Sequence, residues 1–162
     1  MTLDSLFLLS FFEMGKYLLW DKLVTYEKSN PLELQSKELH ERVKFVYNQW
    51  LLCFTHYPDI WIEAANYFLQ TVNDAQLAEK FYKNAIKLSP NSALIYFAYA
   101  NYLEERNKTT EAERIYDQLI ENSPTTLAFI QKMKFKKRTM AREKIFTHLL
   151  SSFSLKNDFF LI

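Results

Sequence analysis

Apolar side chains along this 162-residue chain follow a helical period, and one stretch of that pattern occurs twice. The segment 59-DIWIEAANYFLQ-70 returns as 94-LIYFAYANYLEE-105, shifted by 35 positions (96 − 61). Trp61, Ala65 and Phe68 have the spacing i, i+4 and i+7, which places them on one face of a helix. The duplication predicts a helical repeat.

Pairs of aromatic residues six positions apart mark the first helix of each predicted unit. The pairs are Trp20/Tyr26, Trp61/Tyr67, Tyr96/Tyr102 and Phe129/Phe135. A second helix follows each pair, and its own aromatic position is occupied by Tyr47, Tyr82, Tyr116 and Phe146. These second positions are 35, 34 and 30 residues apart (82 − 47, 116 − 82 and 146 − 116), a period typical of helix-turn-helix arrays. We expect these rings to form the core between stacked units rather than a cofactor pocket.

The pattern predicts an all-α fold, a solenoid or α-α superhelix of about four helix-turn-helix repeats. The predicted helices cover 5–29 and 36–56, 58–71 and 74–88, 92–106 and 110–121, and 125–137 and 139–152. The solenoid therefore spans residues 1–152, in units of about 5–56, 58–88, 92–121 and 125–152, and residues 153–162 are expected to form an irregular or disordered tail.

Residues that begin helices agree with this register. A proline stands at or just before the first helix of the second, third and fourth predicted units: Pro58, Pro90 and Pro124. Proline suits a first helical turn because its missing N–H would be unpaired there anyway. Thr110 with Glu113 has the spacing of a capping box. Asn73 and Asp74 supply capping side chains before the helix at Ala75.

Several segments are more specific than the repeat itself. The first helices lack the glycine of the tetratricopeptide pattern, and Glu27 directly follows Tyr26, which resembles the half-a-TPR (HAT) variant of RNA-processing proteins. The most specific segments are 26-YEKSNPL-32, 42-RVKFVYNQWLL-52, 56-HYPDIWIEAANYF-68, 94-LIYFAYANYLEER-106 and 129-FIQKMKFKKR-138. Over roughly residues 12–150 the chain resembles the N-terminal HAT region of the suppressor of forked family, the large scaffold subunit of cleavage stimulation factor.

The resemblance implies a nuclear, non-catalytic scaffold for pre-mRNA 3′-end cleavage and polyadenylation. Its implied partners are protein subunits of the cleavage and polyadenylation machinery. Family members continue through more HAT units into a dimerising half and a segment that binds sister subunits, so neither property is expected of this chain. We expect a fragment, a shortened isoform or an imperfect gene model, whose last unit has an open face near Ile145 and Leu149.

Composition removes several classes of function. A net charge of +1 gives no global attraction to nucleic acid or membrane. Cys53 is the only cysteine and is predicted to be an inert buried thiol, while His40, His56 and His148 lack metal-ligand spacing. With Gly15 as the one glycine, a phosphate-binding glycine loop is excluded. We therefore expect no enzyme activity, no cofactor, no metal and no small-molecule substrate.

The apolar run 5-SLFLLSFF-12 raises the question of a membrane or secretory segment. Asp4 stands where a signal peptide carries positive charge, and no small-residue cleavage site precedes Glu13. Eight residues are also too few to cross a bilayer. The run is predicted to be the first turns of a buried helix.

One local charge cluster stands out, at 132-KMKFKKRTMAR-142, where six bases occur without an acid. Three interpretations remain open: a solvated helix end, a contact with RNA phosphates or an acidic protein, and a nuclear-import signal. The candidate contact residues are Lys132, Lys134, Lys137, Arg138 and Arg142. An RNA-binding module that uses this tract is thus one alternative to the scaffold, and a general tetratricopeptide-like peptide adaptor with a polar or basic groove is the other.

Overall fold

The structure, a computed structural model, describes residues 3–139, with side chains for residues 13–139. Within that range every regular element is an α-helix. The helices are α1 (Leu3–Lys28), α2 (Ser36–Cys53), α3 (Pro58–Gln70), α4 (Ala75–Leu88), α5 (Ala93–Glu105), α6 (Thr109–Asn122) and α7 (Thr126–Thr139). The prediction of an all-α array of consecutive helix pairs is confirmed. The largest difference in a helix boundary is at the end of α2, predicted at 56 and observed at Cys53.

The chain divides into two compact units, with the boundary between Ser89 and Pro90. In the first unit, α1 packs on α2, α2 on α3 and α3 on α4. Its core is built from aromatic and β-branched side chains with a few alanines, which let neighbouring backbones approach closely. The largest fully buried members are Val24, Val43, Tyr47, Trp50, Ile60 and Phe68.

The second unit repeats this arrangement in the residues that the structure describes. Helix α5 packs on α6, and α6 packs on α7. Its largest fully buried side chains are Ile95, Tyr96, Leu103, Leu119 and Phe135. Residues 140–152 of the predicted helix over 139–152, including the ring of Phe146, lie outside the described residues.

Most of the predicted ring positions are buried, three are half-buried and one is exposed. Tyr47, Trp61, Tyr82, Tyr96, Tyr102, Tyr116 and Phe135 are buried, whereas Trp20, Tyr67 and Phe129 are half-buried. Tyr26 is 55% exposed, so its assignment to the repeat core is wrong. Helix α1 contacts α2 through Glu27, which pairs with Arg42, and Val24 on the same side of α1 is buried.

The prediction of a buried Cys53 thiol is also wrong, because this side chain is exposed. Helix α2 ends at Cys53, and Phe54 leaves the helical conformation as its C-cap residue, with φ −128° and ψ 45°. The ring of Phe54 then occupies the buried position, against Tyr17 and Tyr57. The helix end therefore moves the apolar site one residue along the chain.

Asparagines with positive φ replace glycine in the turns of this chain. Asn107 has φ 58° after α5, its N–H donates to the Glu104 carbonyl at 2.9 Å, and the Lys108 N–H donates to the Leu103 carbonyl at 2.9 Å. These two bonds form a Schellman cap, with asparagine in the left-handed position that glycine usually takes. Asn73 also has φ 58°, in the turn between α3 and α4.

Asn30 gives the Ser29-Asn30-Pro31 segment a structural role. It has φ 54°, and its side chain both accepts from the Leu34 N–H at 2.8 Å and donates to the Leu34 carbonyl at 3.0 Å. These bonds hold the loop between α1 and α2. The turn between α1 and α2 therefore requires Asn30, although packing between repeats does not.

The predicted helix starts fare differently. Asp74 caps α4 by accepting from the Leu77 N–H at 2.9 Å, and Pro58 is the first residue of α3, both as predicted. The predicted capping box at Thr110 is wrong, because the Schellman turn before α6 starts this helix at Thr109, with Lys108 as its N-cap. Pro90 and Pro124 lie just before α5 and α7, as predicted.

Candidate interaction surface

Helix α7 carries the basic tract and is oriented by two buried residues. Thr125 precedes the helix, and its hydroxyl accepts from the Ala128 N–H at 3.3 Å. Ala128 and Phe135 are buried and seven positions apart, so they lie on one face. The Phe135 ring packs on Tyr116 of α6 with centroids 5.2 Å apart. This contact fixes which lysines of α7 face α6.

Two lysines of the tract form ion pairs with α6. Lys132 pairs with Asp117, and Lys136 pairs with Glu113. The two bases are four residues apart on α7 and the two acids are four residues apart on α6, in the opposite order, so antiparallel helices bring both pairs into register. The neighbouring helix thus neutralises two of the five basic side chains that the structure describes in this tract.

Arg138 makes a bidentate contact with a third helix. Its guanidinium donates to both carboxylate oxygens of Glu104 on α5, at distances from 2.7 to 3.1 Å. The Tyr116 hydroxyl donates to the same carboxylate at 3.3 Å. Burial raises the pKa of Tyr116, and the hydrogen bond to Glu104 raises the pKa of Arg138. Arg138 therefore joins α7 to α5 as part of the fold.

Lys134 and Lys137 are the cations of α7 that remain available. Both are exposed, and neither has a carboxylate partner among residues 13–139. Arg142 lies outside the described residues. The structure therefore separates the five candidate contact residues, because it commits Lys132 and Arg138 to internal ion pairs and presents Lys134 and Lys137 to solvent. The matching acid spacing on α6 was the sequence signal that could have revealed this.

The first unit has a charged cluster that the sequence interpretation missed. Lys28, at the end of α1, pairs with Glu63 of α3 at 2.7 Å, and the buried Tyr47 of α2 donates its hydroxyl to Glu63 at 2.7 Å. The Lys28 ammonium also lies 5.1 Å from the ring centroids of Tyr47 and Tyr67. Burial, helped by the hydrogen bond to Glu63, raises the pKa of Tyr47. The cluster ties three consecutive helices together.

Glu27 forms a second buried charge contact. Its side chain is 5% exposed, and both its oxygens accept from the Arg42 guanidinium of α2, one of them at 2.8 Å. These hydrogen bonds lower the pKa of Glu27 below the usual range of a glutamate. The bidentate geometry is specific for arginine, because only a planar guanidinium donates in this forked way. Glu27, quoted above as part of a family segment, thus has a packing role.

The described histidines and acidic residues do not form a metal-binding cluster. No group of three or more histidine, cysteine or acidic side chains among the described residues is arranged to hold a metal ion. The His40 ring packs against Tyr67, and His56 Nδ1 lies 3.4 Å from the Ser89 hydroxyl, while His148 is outside the described range. In the same part of the chain, no helix combines the length and apolar content needed to cross a membrane.

An exposed apolar surface lies on α1. Leu19 is 67% exposed, Leu23 is 38% exposed and Tyr26 is 55% exposed. Lys16, Leu19, Trp20 and Leu23 line a shallow groove of about 270 Å³ on the same helix. Such a surface is typical of a protein contact when apolar residues are contiguous and polar residues surround them.

A family model described as Suppressor of forked protein matches residues 11–153. That match covers most of the chain, including every helix from α2 to α7. The chain belongs to the suppressor of forked family.

Named relatives agree with this assignment. The chain is 29% identical over 126 residues to Cleavage stimulation factor subunit 77 of Arabidopsis thaliana, with 78% of this chain and 17% of the relative covered. It is 30% identical over 176 aligned positions to Protein suppressor of forked of Drosophila melanogaster, with 78% of this chain and 23% of the relative covered.

A fungal relative extends the comparison. The mRNA 3′-end-processing protein RNA14 of Yarrowia lipolytica is 34% identical over 104 residues, with 64% of this chain and 13% of the relative covered. The chain thus spans less than a quarter of each of these three proteins. The described residues of this chain form helix pairs that aromatic rings and ion pairs hold together.

Proposed function

We propose that this chain is a non-catalytic scaffold in mRNA 3′-end processing, which docks other subunits of the cleavage and polyadenylation machinery in the nucleus. The observation that carries the proposal is the family match over residues 11–153, together with relatives named as 3′-end-processing and cleavage-stimulation proteins. The physical mechanism is presentation of surfaces on rigid helix pairs, in which neighbouring repeats stabilise each other. No cofactor or small-molecule substrate takes part.

The described geometry supports a scaffold rather than a catalyst. Glu27, Glu63 and Glu104 each bind a cation of another helix, which fixes the packing of the helices. Rigid packing of this kind pre-organises a docking surface and so reduces the entropy cost of binding.

The test is affinity purification from nuclear extract, with the tagged chain beside a tagged full-length relative. We expect the chain to recover polyadenylation factors, identified by mass spectrometry. The matched control is the chain with Phe68→Asp, which introduces a charge into the core of the first unit and should abolish recovery. Recovery of no processing factor with the chain, when the full-length relative recovers them, would contradict the proposal.

A second candidate function is RNA binding through α7, and the exposure of Lys134 and Lys137 favours it. If both lysines contact phosphates, replacing both with glutamate should lower RNA affinity and reduce the salt slope by about 2. The matched control is Lys80→Glu with Lys87→Glu, two exposed lysines of α4. An unchanged affinity and slope for the α7 variant, measured by fluorescence anisotropy from 50 to 200 mM salt, would remove this candidate.

A further inference from the structure

A cluster of aromatic rings lies where α1 meets the connection between α2 and α3. Tyr17 of α1 packs against Phe54 and Tyr57 of this connection, with ring centroids 5.9 Å apart in both contacts. Phe54 is buried and packs edge-on against Tyr57 with centroids 5.2 Å apart. Tyr17 is half-buried, and Tyr57 is 40% exposed. Phe54 therefore forms the base of the cluster, and the two tyrosine rings reach solvent.

Two exposed carboxylates border these rings. Asp59 lies in the first turn of α3, just after Tyr57, and Asp21 lies one helical turn after Tyr17 on α1. Burial raises the pKa of the Tyr17 hydroxyl, and three nearby carboxylates raise this pKa further: Asp59, Glu63 and Asp21. Glu63 already binds a lysine, whereas neither aspartate forms an ion pair among residues 13–139. The two tyrosines and the two aspartates are called here the tyrosine–aspartate surface.

This surface is not a seam that the next helix of the array covers. Alignment of α1 with α3 by their leading tryptophans, a shift of 41 positions (61 − 20), places Tyr17 and Asp21 at Pro58 and Ile62. Helix α3 packs on a second helix from each of two repeats, α2 and α4, and Pro58 and Ile62 are nevertheless only half-buried. Second helices on both sides of a first helix therefore leave this face accessible.

The chain contains an occupied example of the same chemistry. The Lys28 ammonium lies 5.1 Å from the ring centroids of both Tyr47 and Tyr67, and it pairs with Glu63 at 2.7 Å. Two tyrosine rings and a carboxylate hold this cation together, because the face of an aromatic ring attracts positive charge as a carboxylate does. The tyrosine–aspartate surface offers two rings and two carboxylates, and no cation among residues 13–139 occupies it.

The sign of the charge determines which macromolecule fits this surface. Phosphates of nucleic acids and the headgroups of acidic membranes are anionic, so unpaired aspartates repel both. A basic protein segment is attracted instead. Arginine suits the surface better than lysine, because its planar guanidinium stacks on a ring and donates to a carboxylate at the same time. Arg106 shows the ring contact within this chain, since its guanidinium lies 5.0 Å from the ring centroid of Tyr102.

We propose that the tyrosine–aspartate surface binds an arginine-containing basic segment of a partner protein, with guanidinium groups over the rings of Tyr17 and Tyr57 and against the carboxylates of Asp21 and Asp59. The rings supply cation–π contact, and the aspartates supply charge complementarity. This inference does not depend on the proposed role in mRNA 3′-end processing, since it concerns the chemistry of one surface.

The experiment uses the complete 162-residue chain and two fluorescently labelled peptides. The first alternates arginine and glycine, and the second has citrulline in place of each arginine, which keeps the shape of the side chain and removes its charge. Fluorescence anisotropy is measured at about 50 mM salt, where screening of exposed charges is weak. We expect the arginine peptide to bind at least about ten-fold more tightly than the citrulline peptide, the ratio that corresponds to about 1.4 kcal/mol.

Variants of the protein locate the binding surface. Asp21→Asn with Asp59→Asn should weaken binding of the arginine peptide at least about five-fold. The matched control is Glu33→Gln with Glu38→Gln, which removes the same charge from exposed acids near the opposite end of α2 and should change the affinity less than about two-fold. Tyr57→Leu should weaken binding about three-fold, whereas Tyr57→Phe keeps the ring and should keep the affinity. Because all five side chains are exposed, circular dichroism should show that the variants remain folded.

Three outcomes would overturn the proposal. The first is an arginine peptide that binds no better than the citrulline peptide, and the second is equal weakening by the two double variants. The third is sedimentation velocity that shows the chain alone as a dimer that Asp21→Asn with Asp59→Asn dissociates, because the occupant of the surface would then be a second copy of this chain.

Discussion

Replacement of Trp61 by alanine is the sharpest test of the repeat register. Trp61 is the leading aromatic of the duplicated helix and is only 6% exposed. Its ring packs edge-on against Phe81 of α4 with centroids 6.3 Å apart, and its Nε1–H donates to the Thr55 carbonyl at 2.8 Å. One side chain thus contacts the following helix and the turn that precedes its own helix.

The structure gives a magnitude for this change. Replacement of a buried tryptophan by alanine removes the transfer free energy of the ring and leaves a cavity, which together cost about 3–5 kcal/mol. Loss of the bond to Thr55 is the smaller part, about 1 kcal/mol, because this half-buried turn is accessible to water. Trp61→Phe keeps a ring against Phe81 and loses the N–H, so its expected cost is about 1–2 kcal/mol.

The assay is urea unfolding followed by tryptophan fluorescence. The three tryptophans of the chain, Trp20, Trp50 and Trp61, all lie before Ser89, so this signal reports the first unit alone. Trp20 and Trp50 still report after Trp61 is replaced. The control is Leu52→Ala, at a 74% exposed position of the same unit, which should change the free energy of unfolding by less than about 0.5 kcal/mol.

A clear result would refute the reasoning. If Trp61→Ala lowers the free energy of unfolding by less than about 1 kcal/mol, Trp61 is not a core residue and the alignment of α1, α3 and α5 in one register is wrong. If Trp61→Phe costs as much as Trp61→Ala, the bond to Thr55 rather than ring packing dominates the contribution of this residue.

Three further predictions concern charges and caps. Because the pKa of Glu27 is lowered in the folded state, its ionised form stabilises the protein above about pH 4.3, and this stability is lost as the pH falls. Glu27→Gln should lower the free energy of unfolding at pH 7 by about 1–2 kcal/mol. Urea titrations from pH 3 to 7 should also show that the free energy of unfolding of this variant falls less steeply in acid. Asn107→Ala should cost about 1 kcal/mol in circular-dichroism unfolding because of the positive φ, whereas Asn107→Gly should cost almost nothing. Arg138→Ala should cost about 0.5–1 kcal/mol by the same assay, and Lys137→Ala, which removes an exposed cation, should not change the free energy of unfolding.

The helices could be predicted from the sequence because their burial is periodic. The duplicated stretch, the aromatic pairs and Asp74 each give a signal within one helix or its cap. Tyr26 shows the limit of that method. It occupies the same repeat position as the half-buried Tyr67, but no described helix covers its ring. The pattern within α1 shows the repeat position of a residue and does not show whether another helix packs on it.

Turns and ion pairs were harder to predict for physical reasons. Asparagine adopts a left-handed conformation, but it also caps helices, so the residue type alone did not show that Asn73 and Asn107 have φ 58°. The tract 132–142 contains bases only, and its partners Glu113 and Asp117 lie on the preceding helix. The sequence of the tract shows how many bases it contains. How many of them remain unpaired depends on which helix packs beside the tract.

The tyrosines at the second-helix positions connect packing with the surfaces that remain for partners. Tyr47, Tyr82 and Tyr116 are each buried, and each donates its hydroxyl to a polar side chain of a first helix, respectively Glu63, Asn66 and Glu104. A phenylalanine would fill the same space but would leave the acceptor without this donor, so tyrosine fixes how far one helix slides along its neighbour.

The same acceptors also take cations, since Glu63 binds Lys28 and Glu104 binds Arg138. Five ion pairs among the described residues join different helices, whereas many other charged side chains, such as Lys80 and Lys87, are exposed. Lys134 and Lys137 on α7 are two of these exposed cations. A net charge of +1 consequently says little about what this chain binds, because the distribution of unpaired charge, rather than its sum, decides which partner fits.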